Sequence, residues 1–369
     1  MRVAFTYDRI NKIGGAERVL EALHELWPDA PVFTSVYDEK GAPWAKKFHV
    51  IPSFLQYVPF ASTHHEFFPW LTPFAFESFN FDSYDVVISI TSAESKDIVT
   101  KPETLHICYC LTPTRYLWSG EEAYKKRGGF GVFEAMAQWV YRAMLPTLKA
   151  WDLSASEKPD MYIAISEHVK KRIRLYYGKE SDAVIYPPVE TDVFFSKHTT
   201  KKEYYLFVGR LVPYKRADIV ISACNALQKQ LIVVGEGSEK RQLQKIAGPT
   251  ITFVDHRLTD KELLRYYENC RAFLYAGEED FGIVACEAQS CGKPVIAYRN
   301  SGISEIVRDG ETGILFDEQS ITSLTSAIVK SETMQFSSKA CTINAERFGK
   351  EVFKKQCWNF VKKAYNHQL

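Results

Sequence analysis

Apolar residues fall in short, near-continuous runs separated by amphipathic stretches, and this alternation continues from one end of the chain to the other. In the first half, Arg2–Thr6, Pro31–Ser35, Val86–Ile90, Leu105–Tyr109 and Met161–Ile165 predict strands. Helices are predicted between them, among them Ala16–Leu26, Phe133–Leu148 and His168–Tyr176. The second half predicts strands over Tyr204–Val208, Leu231–Val234, Ile251–Val254, Ala272–Tyr275 and Pro294–Ala297. A strand apolar on both faces belongs to a sheet covered on both sides, and the intervening helices supply the covers. Each half therefore predicts a doubly wound, parallel α/β domain.

Two consecutive prolines, Pro187 and Pro188, suit neither a helix nor a central strand, and the polar stretch Ser196–Glu203 follows them. The join is expected at about Val189–Thr200, giving domains of residues 1–190 and 191–345 and a C-terminal segment of 346–369. A last helix is predicted from about Ala345 to Tyr365, whose Phe348, Val352, Trp358, Phe360 and Val361 need a surface to pack on. The stretch Phe54–Phe81 is dense in aromatic residues. It reads either as a membrane-interface or lipid-acceptor surface or as an irregular part of the first domain's core, and its shortage of basic residues favours the core.

Composition narrows the picture. The chain has 369 residues, with 46% hydrophobic and 25% charged, which suits a globular protein with more than one core. Lys and Arg total 46 against 45 Asp and Glu, a balance that argues against nucleic acid as a partner. The start, MRVAFTYDRINKIGG, reads as a strand entering a loop rather than a signal peptide. No stretch approaches the ~20 apolar residues that cross a bilayer. The eight cysteines contain no C-x-x-C pair and are expected as reduced core thiols, so the expected location is the cytoplasm.

The strongest chemical signal is Glu278-Glu279-Asp280-Phe281-Gly282-Ile283-Val284-Ala285-Cys286-Glu287-Ala288, which follows a predicted strand and opens a helix. Free N–H groups at a helix start suit a diphosphate, and Gly282 permits close approach of an anion. Glu287 lies five residues past Gly282, about 7.5 Å along the axis, so Glu279 and Glu287 would bracket that anion. An ordinary helix with acidic residues at its start accounts for Glu279 and Asp280 but not for Glu287.

Glu, seven residues and Glu, with Phe-Gly-Ile between, resembles the donor-site signature of glycosyltransferase family 4. The continuation Ala288-Gln289-Ser290-Cys291-Gly292-Lys293-Pro294 follows the same course, and the fuller wording is similar to the bacterial O-antigen mannosyltransferase branch. The resemblance implies the GT-B fold: two Rossmann-like domains facing across a cleft, the first binding acceptor and the second binding donor, with the C-terminal helix crossing back to the first. It implies that Glu279 contacts the transferred sugar and Glu287 the ribose, beside Phe281, Gly282, Ile283 and Val284. It further implies that Arg210 and Lys215, in Gly209-Arg210-Leu211-Val212-Pro213-Tyr214-Lys215, neutralise the leaving diphosphate. By themselves these two would read as a solvated basic loop. The family places Gly14-Gly15 in the cleft, where their amides approach the diphosphate; taken alone this is a plain turn.

Arg115, in Cys108-Tyr109-Cys110-Leu111-Thr112-Pro113-Thr114-Arg115, keeps its matching position as a phosphate or acceptor contact. Relatives usually carry His where this chain has Leu111, and His106, on the opposite face of its strand, is no substitute. Gly235-Glu236-Gly237 lacks the third glycine of a dinucleotide fingerprint and reads as a turn near the donor. Asp255-His256-Arg257-Leu258 reads as a base contact or a solvated turn. His64-His65 lacks a third clustered ligand and no Asp-x-Asp occurs, so neither a metal nor any other cofactor is expected.

The implied activity is retaining, metal-independent transfer of a sugar, mannose from GDP-mannose by branch resemblance, to a saccharide acceptor in cell-surface polysaccharide synthesis. Family habit adds a lipid-linked acceptor and peripheral contact with the inner membrane face. The competing readings are a nucleotide-sugar epimerase or hydrolase on the same fold and a non-catalytic nucleotide-sugar-binding protein. The set Arg210, Lys215, Glu279 and Glu287 argues against the last.

Overall fold

The computed structural model describes residues 1–12, 14–59, 68, 70–121, 134–195, 204–256 and 258–368, with the side chains of 134–140 and 368 excepted. Phe60, His64, His65, Phe67, Phe133, the stretch Ser196–Glu203 and Arg257 lie outside the described residues. The chain divides into two compact units: Met1–Tyr186 with Lys354–Leu369, and Pro187–Phe353.

The first unit is built on seven parallel strands: β1 (Val3–Tyr7), β2 (Val32–Thr34), β3 (Val50–Pro52), β4 (Val86–Thr91), β5 (Leu105–Cys110), β6 (Met161–Ala164) and β7 (Ala183–Val184). Their order is β3-β2-β1-β4-β5-β6-β7. Every residue of β1, β4 and β5 is buried, the reason these strands read as continuous apolar runs. Helices α1 (Gly15–His24), α2 (Thr72–Glu77), α3 (Glu134–Ala155) and α4 (Glu167–Tyr177) connect them. The ends of α4 follow from local chemistry: Ser166 accepts from the Val169 N–H, and Gly178 takes a left-handed conformation at φ 66°. Helix α3 continues past the expected end at Leu148 because Leu148, Asp152 and Ala155 are buried along one face.

The aromatic stretch is buried in part and exposed in part. Leu55, Phe76 and Phe81 are buried, the latter two packing with Phe33 and Val87. Phe54, Tyr57, Trp70 and Phe74 are exposed.

The second unit has six parallel strands: β8 (Tyr205–Val208), β9 (Leu231–Val234), β10 (Ile251–Val254), β11 (Ala272–Tyr275), β12 (Val295–Tyr298) and β13 (Gly313–Phe316). They are ordered β10-β9-β8-β11-β12-β13. Its helices are α5 (Ala217–Ala226), α6 (Lys240–Ile246), α7 (Asp260–Asn269), α8 (Ile283–Ser290), α9 (Ile321–Glu332) and α10 (Ser338–Glu346). The final helix α11 (Lys350–Gln368) begins here. These two sheets with flanking helices form the α/β architecture expected from the hydrophobic pattern.

Two expectations need correction. The predicted helix from Ala345 to Tyr365 is two helices, because Gly349 leaves the helical path to bridge Val189 and the Phe348 carbonyl accepts from the Val189 N–H at 3.0 Å. The same contact draws the chain into the second unit directly after Tyr186, earlier than the expected join. Within α11, residues from Lys354 onward group with the first unit, where Trp358 stacks on Trp27 at 5.7 Å and Cys357 and Val361 are buried. All eight cysteines are buried and unbridged. Among the described residues, no helix is long and apolar enough to cross a membrane.

Candidate functional site

In the second unit the strand order reverses between β8 and β11, and ligands of open α/β sheets bind outside the carboxyl ends of strands at such a reversal. Both leading motifs leave the sheet there: Gly209–Arg216 follows β8, and Ala276–Gly282 follows β11. Residues 64 positions apart in sequence thereby meet, and Lys215 Nζ donates to Oε1 of Glu279. Gly277 makes this possible, since a Cβ there would lie 2.7 Å from the Tyr214 and Lys215 carbonyls. The side chains of Lys215 and Glu279 are 12% and 13% exposed, so the pair is largely but not wholly withdrawn from water.

Three residues that sequence reasoning missed complete the cluster. Tyr275, the last residue of β11, donates its hydroxyl to the same Oε1 of Glu279. Ser301 Oγ accepts from the Glu279 N–H at 3.0 Å, and the Gly302 N–H donates to the Glu279 carbonyl at 2.8 Å. Tyr275 was hidden because it closes an apolar run, where its ring counts as core and its hydroxyl leaves no mark in the pattern.

Gly282 caps α8 in a left-handed conformation at φ 101°, and no side chain caps the helix. A Cβ at Gly282 would sit 2.3 Å from Ile303, so the backbone needs glycine on both counts. Phe281 is buried against Phe348, with ring centroids 5.3 Å apart, and this anchors the loop. Ile283 and Val284 form the half-buried first turn, whose N–H groups are the anion-accepting end of a helix. Arg210 is exposed and donates to the Tyr214 hydroxyl at 2.8 Å. Gly235 packs its backbone onto Gly209, leaving no room for a Cβ, which would lie 1.9 Å from the Gly209 carbonyl oxygen.

Glu287 stands apart from this group. It is 3% exposed and accepts from the Tyr267 hydroxyl at 2.9 Å. Burial and the neighbouring carboxylate push the Tyr267 hydroxyl well above its ordinary pKa, so it remains a donor.

In the first unit, Gly14 precedes α1 in an extended conformation. The start of α1 is engaged by the chain's own Glu17, whose carboxylate accepts from the Gly14 backbone N–H and, at 2.9 Å, from the Tyr7 hydroxyl. Burial pushes the Glu17 carboxyl above the usual range despite these donors. Gly15 is the first helical residue.

Arg115 is half-buried in the loop after β5. That loop is fastened from below by Asp152 of α3. Asp152 accepts from Thr114 at 2.7 Å, Trp118 at 2.7 Å, Tyr177 at 2.9 Å and the fully buried Lys96 at 2.5 Å. Leu111 is buried, its N–H donating to the Thr91 carbonyl at 2.8 Å. His106 is buried inside β5 with Nε2 2.8 Å from Ser89 Oγ, and burial pushes its pKa down to about 3. It is a neutral core histidine. Among the described residues no group of three or more His, Cys, Asp or Glu could hold a metal ion.

Comparison with known proteins shows what the chain is similar to. Residues 189–348 match the family model of glycosyl transferases group 1. An uncharacterised glycosyltransferase of Methanocaldococcus jannaschii is 26% identical over 215 residues, covering 57% of this chain and 60% of that protein. The GDP-mannose-dependent alpha-(1-6)-phosphatidylinositol monomannoside mannosyltransferase of Mycolicibacterium smegmatis is 27% identical, covering 50% of this chain and 56% of the relative. The chain thus spans little more than half the length of these curated relatives.

Among solved structures, Anabaena HepE in complex with UDP and glucose aligns with a TM-score of 0.70 at 17% identity, covering 98% of this chain and 99% of that one. The sucrose-phosphate synthase of Thermosynechococcus elongatus aligns at 0.73 and 18% identity over the whole of both chains. The fold is GT-B, and the match to glycosyl transferases group 1 covers residues 189–348, most of the second unit.

Proposed function

We propose that this protein is a retaining, metal-independent glycosyltransferase that moves mannose from GDP-mannose to a saccharide acceptor in cell-surface polysaccharide synthesis. The observation that carries the reading is the meeting of Lys215 and Glu279 beside the uncapped start of α8, at the strand-order reversal of the second sheet. A nucleoside diphosphate leaving the anomeric carbon gathers negative charge. Lys215, Arg210 and the N–H groups of Ile283 and Val284 are positive groups suited to that charge, and such pre-positioned electrostatics supply much of enzymic rate enhancement. Glu279 holds the sugar hydroxyls, and Glu287 serves the ribose. An acceptor hydroxyl attacks from the face the diphosphate leaves; the C–O bond to phosphate breaks as the new glycosidic bond forms. The departing phosphate takes the hydroxyl proton, so no side chain is needed where Leu111 stands.

Acceptor binding is assigned to the first unit, with Arg115 as its contact. A lipid-linked acceptor and a position at the cytoplasmic face of the membrane belong to the same proposal, supported by the exposed rings of Phe54, Tyr57, Trp70 and Phe74. The mannose donor follows the mycobacterial relative's name, whereas HepE is described with UDP and glucose, so the base is the point to test. Thermal unfolding should be recorded against GDP, UDP, ADP and their sugar conjugates. A ligand at a hundred times its dissociation constant adds about 2.7 kcal/mol. A selective rise with GDP and GDP-mannose, reduced in Glu287→Ala, is the expected result. A selective UDP or ADP response overturns the donor assignment, and no response to any nucleotide overturns the catalytic reading.

A further inference from the structure

The proposed function gives Lys215 and Glu279 separate tasks, yet in the structure they are bonded to each other. An ammonium ion neutralising a diphosphate cannot keep its full attention on a carboxylate. A diphosphate offers more negative charge and more acceptor oxygens than one carboxylate, so it draws the lysine toward itself. Lysine is suited to such a move, being a point charge on a flexible four-carbon stem. Its ammonium lies 5.4 Å from the Tyr214 ring centroid and 5.6 Å from that of Tyr275, aromatic faces that tolerate a cation along a range of positions. Sugar recognition by Glu279 then calls for a partner that does not move with the ligand.

Tyr275 is placed to be that partner. Its ring is fully buried and lies nearly parallel to Phe207, at 5.4 Å and 5°, and to Phe273, at 6.1 Å and 13°. A fully buried ring stacked on two others has little freedom to follow the lysine. Its hydroxyl donates to Oε1 of Glu279, the oxygen Lys215 also uses. The backbone at Glu279 is fixed separately by Ser301 and Gly302, and the phenol acts on the side chain.

We propose that Tyr275 is a positioning residue of the donor site, holding Glu279 against the transferred sugar while an incoming diphosphate draws Lys215 away. The inference rests on the reading of the second unit as a nucleotide-sugar site. It turns the ion pair into a device that opens only to a ligand carrying a diphosphate, with the phenol preserving sugar recognition after it opens.

Isothermal titration of the whole chain with GDP, GDP-mannose, UDP and UDP-glucose tests it. Tyr275→Phe keeps the stacked ring and removes only the hydroxyl. It should weaken binding of the nucleotide sugar about tenfold, the scale of one hydrogen bond to a charged group, and leave the nucleoside diphosphate within about twofold. Lys215→Met should weaken both ligands and leave the ratio of their affinities as in the wild type. A Tyr275→Phe protein that binds both ligands as the wild type does, or loses both alike, overturns the inference. So does a Lys215→Met protein whose preference for the nucleotide sugar disappears, since the lysine would then be what aims Glu279. If Tyr275→Phe fails to fold, the Lys215→Met ratio decides alone. A wild-type chain that binds none of the four overturns the parent reading instead, a result distinct from either variant outcome.

Discussion

The two sheets carry charged residues at the same ends of their strands but use them oppositely. In the first unit the charges after β1 and β4 turn inward. Asp8 accepts from Thr91 at 3.0 Å, Ser92 N–H at 2.7 Å and Ser95 N–H at 2.9 Å, while Lys96 and Asp152 are 1% and 5% exposed and bonded to each other. In the second unit the corresponding charges, Lys215 and Glu279, sit at the edge of water, and the helix start beside them has no side-chain cap. A buried pair ringed by protein donors is committed to holding loops. A pair that keeps some contact with water, beside an open helix end, can exchange partners. The same topology thus yields a fastened set of loops in one unit and a reactive one in the other.

This contrast is sharpest in the cost of removing a charge. Asp152→Ala strands Lys96 in the interior and should cost about 3–5 kcal/mol, read by urea unfolding. A loss below about 1 kcal/mol would show that water reaches the network and would erase the contrast. Glu279→Ala should behave the other way, leaving the unfolding midpoint nearly unchanged while transfer from the nucleotide sugar falls at least about a hundredfold. Full activity in Glu279→Ala, or unfolding comparable to Asp152→Ala, would mean that the second unit's pair is structural as well.

The smallest effect concerns His106. Its folded pKa of about 3 lies below the unfolded value near 6.5, so between those limits the unfolded chain binds the extra proton. The contribution is complete above pH 6.5 and is lost as pH falls toward 3, at up to about 1.4 kcal/mol per pH unit. Stability measured at pH 6 and pH 5 should therefore drop less in His106→Gln than in the wild type. Equal slopes would show that burial of this histidine does not contribute to the acid sensitivity of the first unit.

Legibility in the sequence follows burial. Leu231–Val234 and Ala272–Tyr275 were readable to the residue because central parallel strands are apolar on both faces, and Ile251–Val254, an edge strand, because three of its four residues are apolar. The strands Val50–Pro52 and Ala183–Val184 escaped, being edge strands of three and two residues with half-buried side chains. Gly313–Phe316 escaped too, although its four residues are buried, for it is an edge strand that opens on glycine after a turn. The final helix was predicted unbroken because nothing local to Phe348-Gly349 announces a bridge to Val189, more than 150 residues away.

The sequence by itself determined the two-sheet architecture, the central strands, and the charged and glycine residues of the candidate site, because periodicity and glycine placement are local properties. Only the tertiary structure decided which charges meet. That Lys215 reaches Glu279 and that Asp152 holds the loop of Arg115 depend on chain crossings. Such crossings are set by packing between distant segments, and a hydrogen bond across them leaves no period or spacing in the linear chain.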